Sequence, residues 1–399
     1  MARVLFCWEM GNGLDYMEGL TAGARAIAKA GHEVQFAARD LTHAERLLGG
    51  RFPFYQAPTT VLPPGMNLRR PMTFADVLIN LGWDNPSAVT ARVRAWRNLI
   101  ELVKPDIVRC AHAPGALLAV RGTPIRSLVV GIGFLVPPGK SPLPLLRSWA
   151  TDAQPERMAA REQLVLDGMN QGLAAIGAPP VASVGALYAE ADIRELYTYP
   201  ELDDYGPRQD VKYLGNFQGA SGAKPEWPTL PGKKVFAYLE PLKQVDVIIQ
   251  ALAACGQPVL AYLPHASPEI VQRYAGSNLR ITDKPVDVVE TTATCDVGVS
   301  MGGHNIIGSF MGAGKPQLMV PAYFNERITA TKAEAAGVGL ISGVDAKQLQ
   351  ERLGMLVREP AYAEKARALG AKLAPLTLES ALKGAVDSVN ELAAMGPRR

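Results

Sequence analysis

Four cysteines in 399 residues are too few for a disulfide framework, and Cys7, Cys110, Cys255 and Cys295 show no metal-ligand spacing. They read as small core residues in a reducing compartment. Charge of one sign is also lacking. Lys and Arg number 41 against 38 Asp and Glu, and the net charge of +3 does not indicate nucleic acid as a partner. No apolar run approaches the roughly 20 residues of a membrane span. The start passes directly into Arg3-Val4-Leu5-Phe6-Cys7-Trp8 without the longer apolar region and cleavage site of a signal peptide, so a cytoplasmic protein is expected. Repeats and low-complexity tracts are missing too, and the many glycines and prolines are scattered.

What is there is an ordinary globular balance, 48% hydrophobic against 20% charged, in a chain long enough for two domains. Residues 3–8 read as a buried strand, 11–13 as a turn and 17–30 as a helix. Its Leu20, Ala24, Ile27 and Ala28 share one face. Gly31 ends that helix and 33–37 forms a second strand, which completes a parallel βαβ unit. The alternation continues through a helix at 88–103, strands at 106–110 and 127–131 flanking a helix at 114–119, and a helix at 155–176 stopped by Gly177. Between 213 and 234 the composition turns to Gly, Ser, Pro, Lys and Trp, the best place for a linker. Strands at 235–239, 258–263, 279–281 and 296–300 then alternate with helices at 244–254, 268–274 and 287–294. The stretch 361–395 is helical, with Pro375 as its clear interruption. The fold class is therefore α/β with two halves.

Ligands of parallel α/β sheets gather at the carboxyl ends of the strands, so Glu9 through Tyr16 form a candidate active site. A second candidate is Val297 to Asn305, an apolar run that ends in Gly302, Gly303, His304 and Asn305 before a helix. Glycine permits close backbone approach, and the first amides of a helix are free to meet an anion. A nucleotide diphosphate there would find His304 and Asn305 in reach. A plain strand-to-helix turn fits the same residues.

Trp8-Glu9-Met10-Gly11-Asn12-Gly13-Leu14, then Ala30-Gly31-His32-Glu33-Val34, Gly131-Ile132-Gly133-Phe134 with Pro137-Pro138, and Met301 to Pro321 followed by Ala336-Gly337-Val338-Gly339 together carry a resemblance. The whole chain is similar to a GT-B glycosyltransferase of family 1, the superfamily of UDP-glucuronosyltransferases and antibiotic glycosyltransferases, in a divergent bacterial subgroup. That resemblance implies two Rossmann-like domains with parallel sheets facing across a cleft. An acceptor-binding domain would span 1–215, a linker 216–234, a nucleotide-sugar domain 235–375, and a last helix at 376–399 would cross back to the first domain. It implies an inverting enzyme that needs no cofactor or metal ion, a UDP- or dTDP-sugar donor, and an acceptor that is a small molecule or a macromolecule.

For the donor, the resemblance points to Gly302, Gly303, His304, Asn305, Ser309, Asn325, Glu326, Pro285 and Val286. It departs from the usual pattern at Met301, where a phosphate-binding histidine is common, and at Ser309, where an acid often holds the ribose. The Asp-Gln pair that often meets the sugar is Asn325-Glu326 here. The usual His–Asp catalytic dyad is missing as well: the first loop reads Gly13-Leu14-Asp15-Tyr16, and Ala111 stands near the aspartate's place. Asp15 is then the leading general base, His112 the second candidate and Glu9 the third. Asp15 also suits capping its helix, and His112 sitting satisfied under a loop, as the alternatives to a catalytic role. Tyr16, Phe134 and Trp83 are candidates for the acceptor pocket. A catalytically silent protein that binds a nucleotide sugar or a partner subunit, or a sugar-nucleotide epimerase, would use the same scaffold.

Overall fold

A computed structural model describes residues 1–11, 14–61, 70–216, 222–274 and 278–398, with backbone alone at 14–16. The first part of the chain runs β1 (Arg3–Trp8), α1 (Leu14–Lys29), β2 (Glu33–Ala38), α2 (Leu41–Leu48), β3 (Phe54–Gln56), α3 (Phe74–Ile79), α4 (Pro86–Val103), β4 (Ile107–Ala111), α5 (Pro114–Ala119), β5 (Arg126–Gly131), α6 (Pro155–Ala174), α7 (Val184–Ala189), β6 (Ile193–Leu196) and β7 (Lys212–Tyr213). It continues with β8 (Val235–Tyr238), α8 (Val245–Ala253), β9 (Val259–Tyr262), α9 (Pro268–Arg273), β10 (Leu279–Thr282), α10 (Val288–Thr294), β11 (Val297–Ser300), α11 (His304–Gly312), β12 (Gln317–Met319), α12 (Phe324–Ala335), β13 (Gly339–Ile341), α13 (Ala346–Arg358), α14 (Pro360–Leu373) and α15 (Leu378–Met395).

Two compact units result. Met1–Tyr197, Asp204–Leu214 and Glu379–Arg399 form the first, and Thr198–Asp203 with Gly215–Leu378 form the second. Among the described residues each unit holds one parallel sheet, in the order β3-β2-β1-β4-β5-β6-β7 in the first and β10-β9-β8-β11-β12-β13 in the second. Both are doubly wound. Each winds outward from its first strand and then reverses, so the reversal lies between β1 and β4 in one unit and between β8 and β11 in the other.

Burial follows from this topology. Strands covered by helices on both faces must be apolar throughout, and β1, β4, β8 and β11 are buried almost end to end. α4 buries Val89, Val93, Trp96, Ile100 and Val103 at helical spacing, at about 1.5–3 kcal/mol for each large side chain. Arg92 lies on that same buried face. The segment from 222 to 234 belongs to the second unit and is tied to it by a parallel bridge between Ala223 and Val286. His32, between α1 and β2, is buried. Its Nδ1 accepts from the Ala2 N–H at 3.3 Å and its Nε2 meets the Asn390 side chain at 2.9 Å.

Candidate functional site

In the first unit the two loops at the sheet reversal are joined by the Met10 N–H, which donates to the His112 carbonyl at 3.1 Å. Glu9, one residue past β1, is buried. Its Oε2 accepts from the Gly115 N–H at 2.7 Å, and its Oε1 stands 3.5 Å from Arg92 Nε. Gly115 makes that seat: a Cβ there would lie 2.7 Å from Glu9 Oε2 and 2.7 Å from Trp96 Cδ1. Burial pushes the Glu9 carboxyl up to about 7, against the opposing pull of Arg92, the Gly115 N–H, Trp96 and the Ala116 N–H. The arginine does not win because 3.5 Å exceeds the 2.7–2.9 Å of a charge-assisted hydrogen bond.

His112 follows β4 with φ of 50° and is buried. Burial lowers its imidazole to about 4; a hydrogen bond to the Met10 backbone opposes this and the charge of Arg39 adds to it. The ring is therefore neutral at pH 7. Its centroid is 6.3 Å from that of Phe74, which also meets Phe134 at 6.5 Å and Tyr188 at 5.5 Å. His112 and Phe134 thus share one aromatic cluster. Trp83 belongs to another place, a cavity of about 60 Å³ lined by Glu9, Met10, Arg39, Thr60, Trp83 and Arg92 among others. Asp15 and Tyr16 lie in the first turn of α1, and their side chains fall outside the described residues.

In the second unit the loops after β8 and β11 meet at the corresponding reversal, where the Glu240 N–H donates to Met301 Sδ at 3.2 Å. Met301 is buried and holds the two loops together. Gly302 turns the chain with φ of 94°, and its N–H reaches Ser300 Oγ at 3.4 Å. Gly303 caps α11 without any side-chain cap, while the Ile307 N–H is the first to close back, onto the Gly303 carbonyl at 3.1 Å. The first turn of α11 is thus where a helix's leading amides lack intrahelical carbonyl partners. Such a terminus favours an anion.

The remaining donor-site expectations occupy varied surroundings. Ser309 Oγ donates to the Asn305 carbonyl at 2.8 Å and accepts from Asn216 Nδ2 at 3.1 Å. Asn216 Nδ2 also bonds the Asn305 carbonyl at 2.8 Å, a role no local sequence pattern marks. Glu326 is buried, and its Oε2 accepts from the Ala322 and Tyr323 N–H groups at 2.8 and 2.9 Å, so it closes a capping box on α12. Burial raises its pKa, those two amides oppose the rise, and the charge of Glu240 adds to it. Asn325 is exposed beside it. Pro285 is exposed and its carbonyl accepts from the Ala223 N–H at 2.9 Å, while the Asp287 N–H donates to the Ala223 carbonyl at 2.8 Å. In a parallel bridge this pairing leaves the N–H and C=O of Val286 directed away from Ala223. Among the described residues no group of three His, Cys, Asp or Glu side chains is placed to hold a metal ion, and no helix is long and apolar enough to cross a membrane.

Arg92 was the residue hardest to find in the sequence. Its one signal is a charge within the apolar stripe Val89, Val93, Trp96 and Ile100.

Neither a protein-family model nor a curated protein sequence matches the chain. Solved structures do. The glycosyltransferase SsfS6 of Streptomyces sp. SF2575, in complex with thymidine diphosphate, is 17% identical with a TM-score of 0.64 over 98% of this chain and 100% of its own. The glycosyltransferase VinC in complex with dTDP is 16% identical with a TM-score of 0.66 over 98% of each chain. The spinosyn rhamnosyltransferase SpnG, complexed with spinosyn aglycone, is 15% identical with a TM-score of 0.61 over 97% of this chain and 100% of its own. Two doubly wound parallel sheets and this full-length likeness show that the chain has the GT-B fold of these glycosyltransferases.

Proposed function

We propose that this chain is an inverting, metal-independent glycosyltransferase of family 1 that moves a sugar from a UDP- or dTDP-sugar to an acceptor nucleophile. The observation that carries the reading is the uncapped start of α11 at a sheet reversal, behind a glycine with φ of 94°. In this reading the diphosphate sits at the first turn of α11, on the amides of Asn305 and Ile306, with the His304 imidazole beside it. Charge that develops on the leaving oxygen is met there by fixed dipoles. The outward backbone groups of Val286 read the base, with Pro285 against it. Gly302 and Gly303 give the phosphates close access to the backbone. Ser309 contributes a hydroxyl near the ribose, and Asn325 and Glu326 face the sugar.

The acceptor hydroxyl attacks the anomeric carbon in line with the departing diphosphate, so one C–O bond forms as the other breaks and the configuration inverts. Asp15 takes the hydroxyl proton, from the first turn of α1, with His112 and Glu9 as the alternatives in that order. The first unit holds the acceptor, with Tyr16, Phe134 and Trp83 as contacts. Full-length likeness to structures solved with a thymidine diphosphate and with an aglycone supports both halves of the reading.

The test is one series. Millimolar dTDP or UDP should raise the unfolding temperature, because a ligand at 100 times its Kd adds about 2.7 kcal/mol. Failure of both nucleotides and of their sugars to do so overturns the donor site. Asp15→Asn should keep the nucleotide shift and lose turnover, and near-normal turnover removes Asp15 as the base. Sugar-nucleotide binding without turnover on any acceptor favours the silent binding protein instead.

A further inference from the structure

The cavity in the first unit contains an arginine whose bonding is incomplete. Arg92 is buried, yet Nη2 alone is well used, donating to Thr60 Oγ1 and, at 3.3 Å, to the Leu81 carbonyl. Nε stands 3.5 Å from Glu9 Oε1, and Nη1 has no partner among the described residues. A guanidinium that merely neutralised Glu9 would form the parallel two-bond fork that planar guanidinium and carboxylate favour. Here Glu9 turns its other oxygen to the Gly115 N–H, and the fork is not formed. The guanidinium carbon lies 4.5 Å from the Trp83 ring centroid, over the ring.

The rest of the cavity has the same bias. Arg39 is exposed on its lining, which therefore carries two arginines and one carboxylate. Thr60 accepts from Arg92, which leaves its hydroxyl proton to be donated elsewhere. Trp83 Nε1 is a second buried donor without a partner among the described residues. Against these two donors stands one buried acceptor, Glu9 Oε1, that makes no hydrogen bond among the described residues, and the lining's two arginines outnumber its single carboxylate.

We propose that this cavity is a binding site for the carboxylate of an organic ligand, with Arg92 as the group that recognises it and Thr60 and Arg39 as supporting contacts. A carboxylate supplies two acceptors in one plane and suits a guanidinium held over Trp83 with Nη1 unpartnered among the described residues. Taking that ligand as the acceptor rests on the glycosyl-transfer reading, whereas the carboxylate site itself does not. The acceptor class would then be acidic, with its nucleophile elsewhere on the molecule.

Calorimetric titration of the full chain at pH 8, without nucleotide, separates the two ideas. Benzoate should bind at least tenfold more tightly than benzamide, which has the same shape and no charge. Arg92→Gln should bring the ratio close to one. Glu9→Gln should tighten benzoate several-fold and leave benzamide unchanged, because it removes the competing carboxylate. A role for Arg92 in folding alone predicts no such gain. Should Arg92→Gln fail to fold, Arg92→Lys and Glu9→Gln decide the matter, with Arg92→Lys expected to lose several-fold in benzoate affinity. Equal binding of the two probes, benzoate affinity unchanged in a folded Arg92 variant, or no gain in Glu9→Gln overturns the site. A negative dTDP experiment touches none of these outcomes.

Discussion

Glu9 and His112 lie on the two loops that the Met10–His112 backbone hydrogen bond joins, and they titrate in opposite senses. Burial raises Glu9 to about 7, so the folded state keeps a proton that the unfolded chain has lost, and its contribution to stability falls as pH rises from 4.5 to 7. Burial lowers His112 to about 4, so the unfolded chain binds the proton first, and stability is lost as pH falls from 6.5 toward 4. Each shift corresponds to about 3 kcal/mol, and over the shared window the two slopes oppose. Urea unfolding of the wild type should therefore vary little with pH across that window. Glu9→Gln should become more stable with rising pH and His112→Asn less stable; slopes of the same sign in the two variants would refute the pairing. Both residues were legible in the sequence because each directly follows a strand that belongs at the centre of a parallel sheet. Arg92 was not, since a single charge in an apolar helical stripe carries no sign of what it faces until α4 is docked.

At the scale of elements, the β11–α11 turn makes a sharper demand than its two adjacent glycines suggest. Gly302 has φ of 94°, and a Cβ there would lie 3.0 Å from Glu326 Cβ. Gly303 has φ of −59°, and the nearest atom to an added Cβ is Ile306 Cγ2 at 3.6 Å. Gly302→Ala should thus cost on the order of 1–3 kcal/mol, as strained positions do, and weaken nucleotide binding. Gly303→Ala should be near neutral in unfolding experiments. Similar losses for both would show that the turn's conformation is not what matters. Long periodic elements such as α1, α4 and α6 were readable from spacing alone, although α1 begins at Leu14 rather than at 17. Among short elements α5 was read at its observed bounds, but β3 with 3 residues, α3 with 6 and β7 with 2 were not, and each of these depends on neighbours that local pattern cannot supply. For the same reason Asn216, which braces α11 through Asn305 and Ser309, had no signal.

For the whole molecule, the last residues of the chain complete the unit that the first residues begin. α15 buries Ala381, Ala385, Ser388, Val389 and Leu392 on one face. Asn390 meets His32, and Lys212 Nζ reaches Ser388 Oγ at 3.2 Å and Glu391 Oε2 at 2.6 Å. Beyond the helix, Arg398 and Arg126 both bind Asp192, with Nη–Oδ distances of 2.6 and 2.9 Å. The buried Val and Leu side chains alone are worth about 1.5–3 kcal/mol each when removed from water. A chain ending at Leu378 should therefore lose several kcal/mol in the first unit and none in the second. Hydrogen exchange reads this directly: amides of β1, β2 and β5 should exchange at least tenfold faster, while those of β8 and β11 keep their protection. Equal acceleration in both sheets would mean that α15 stabilises the chain as one cooperative body. No acceleration in either would mean that the first unit's core stands without it. The proposed division of labour, with acceptor chemistry in one unit and donor binding in the other, requires the first of these three outcomes to extend to function: the shortened chain should still gain stability from dTDP in its second unit while losing benzoate binding in its first.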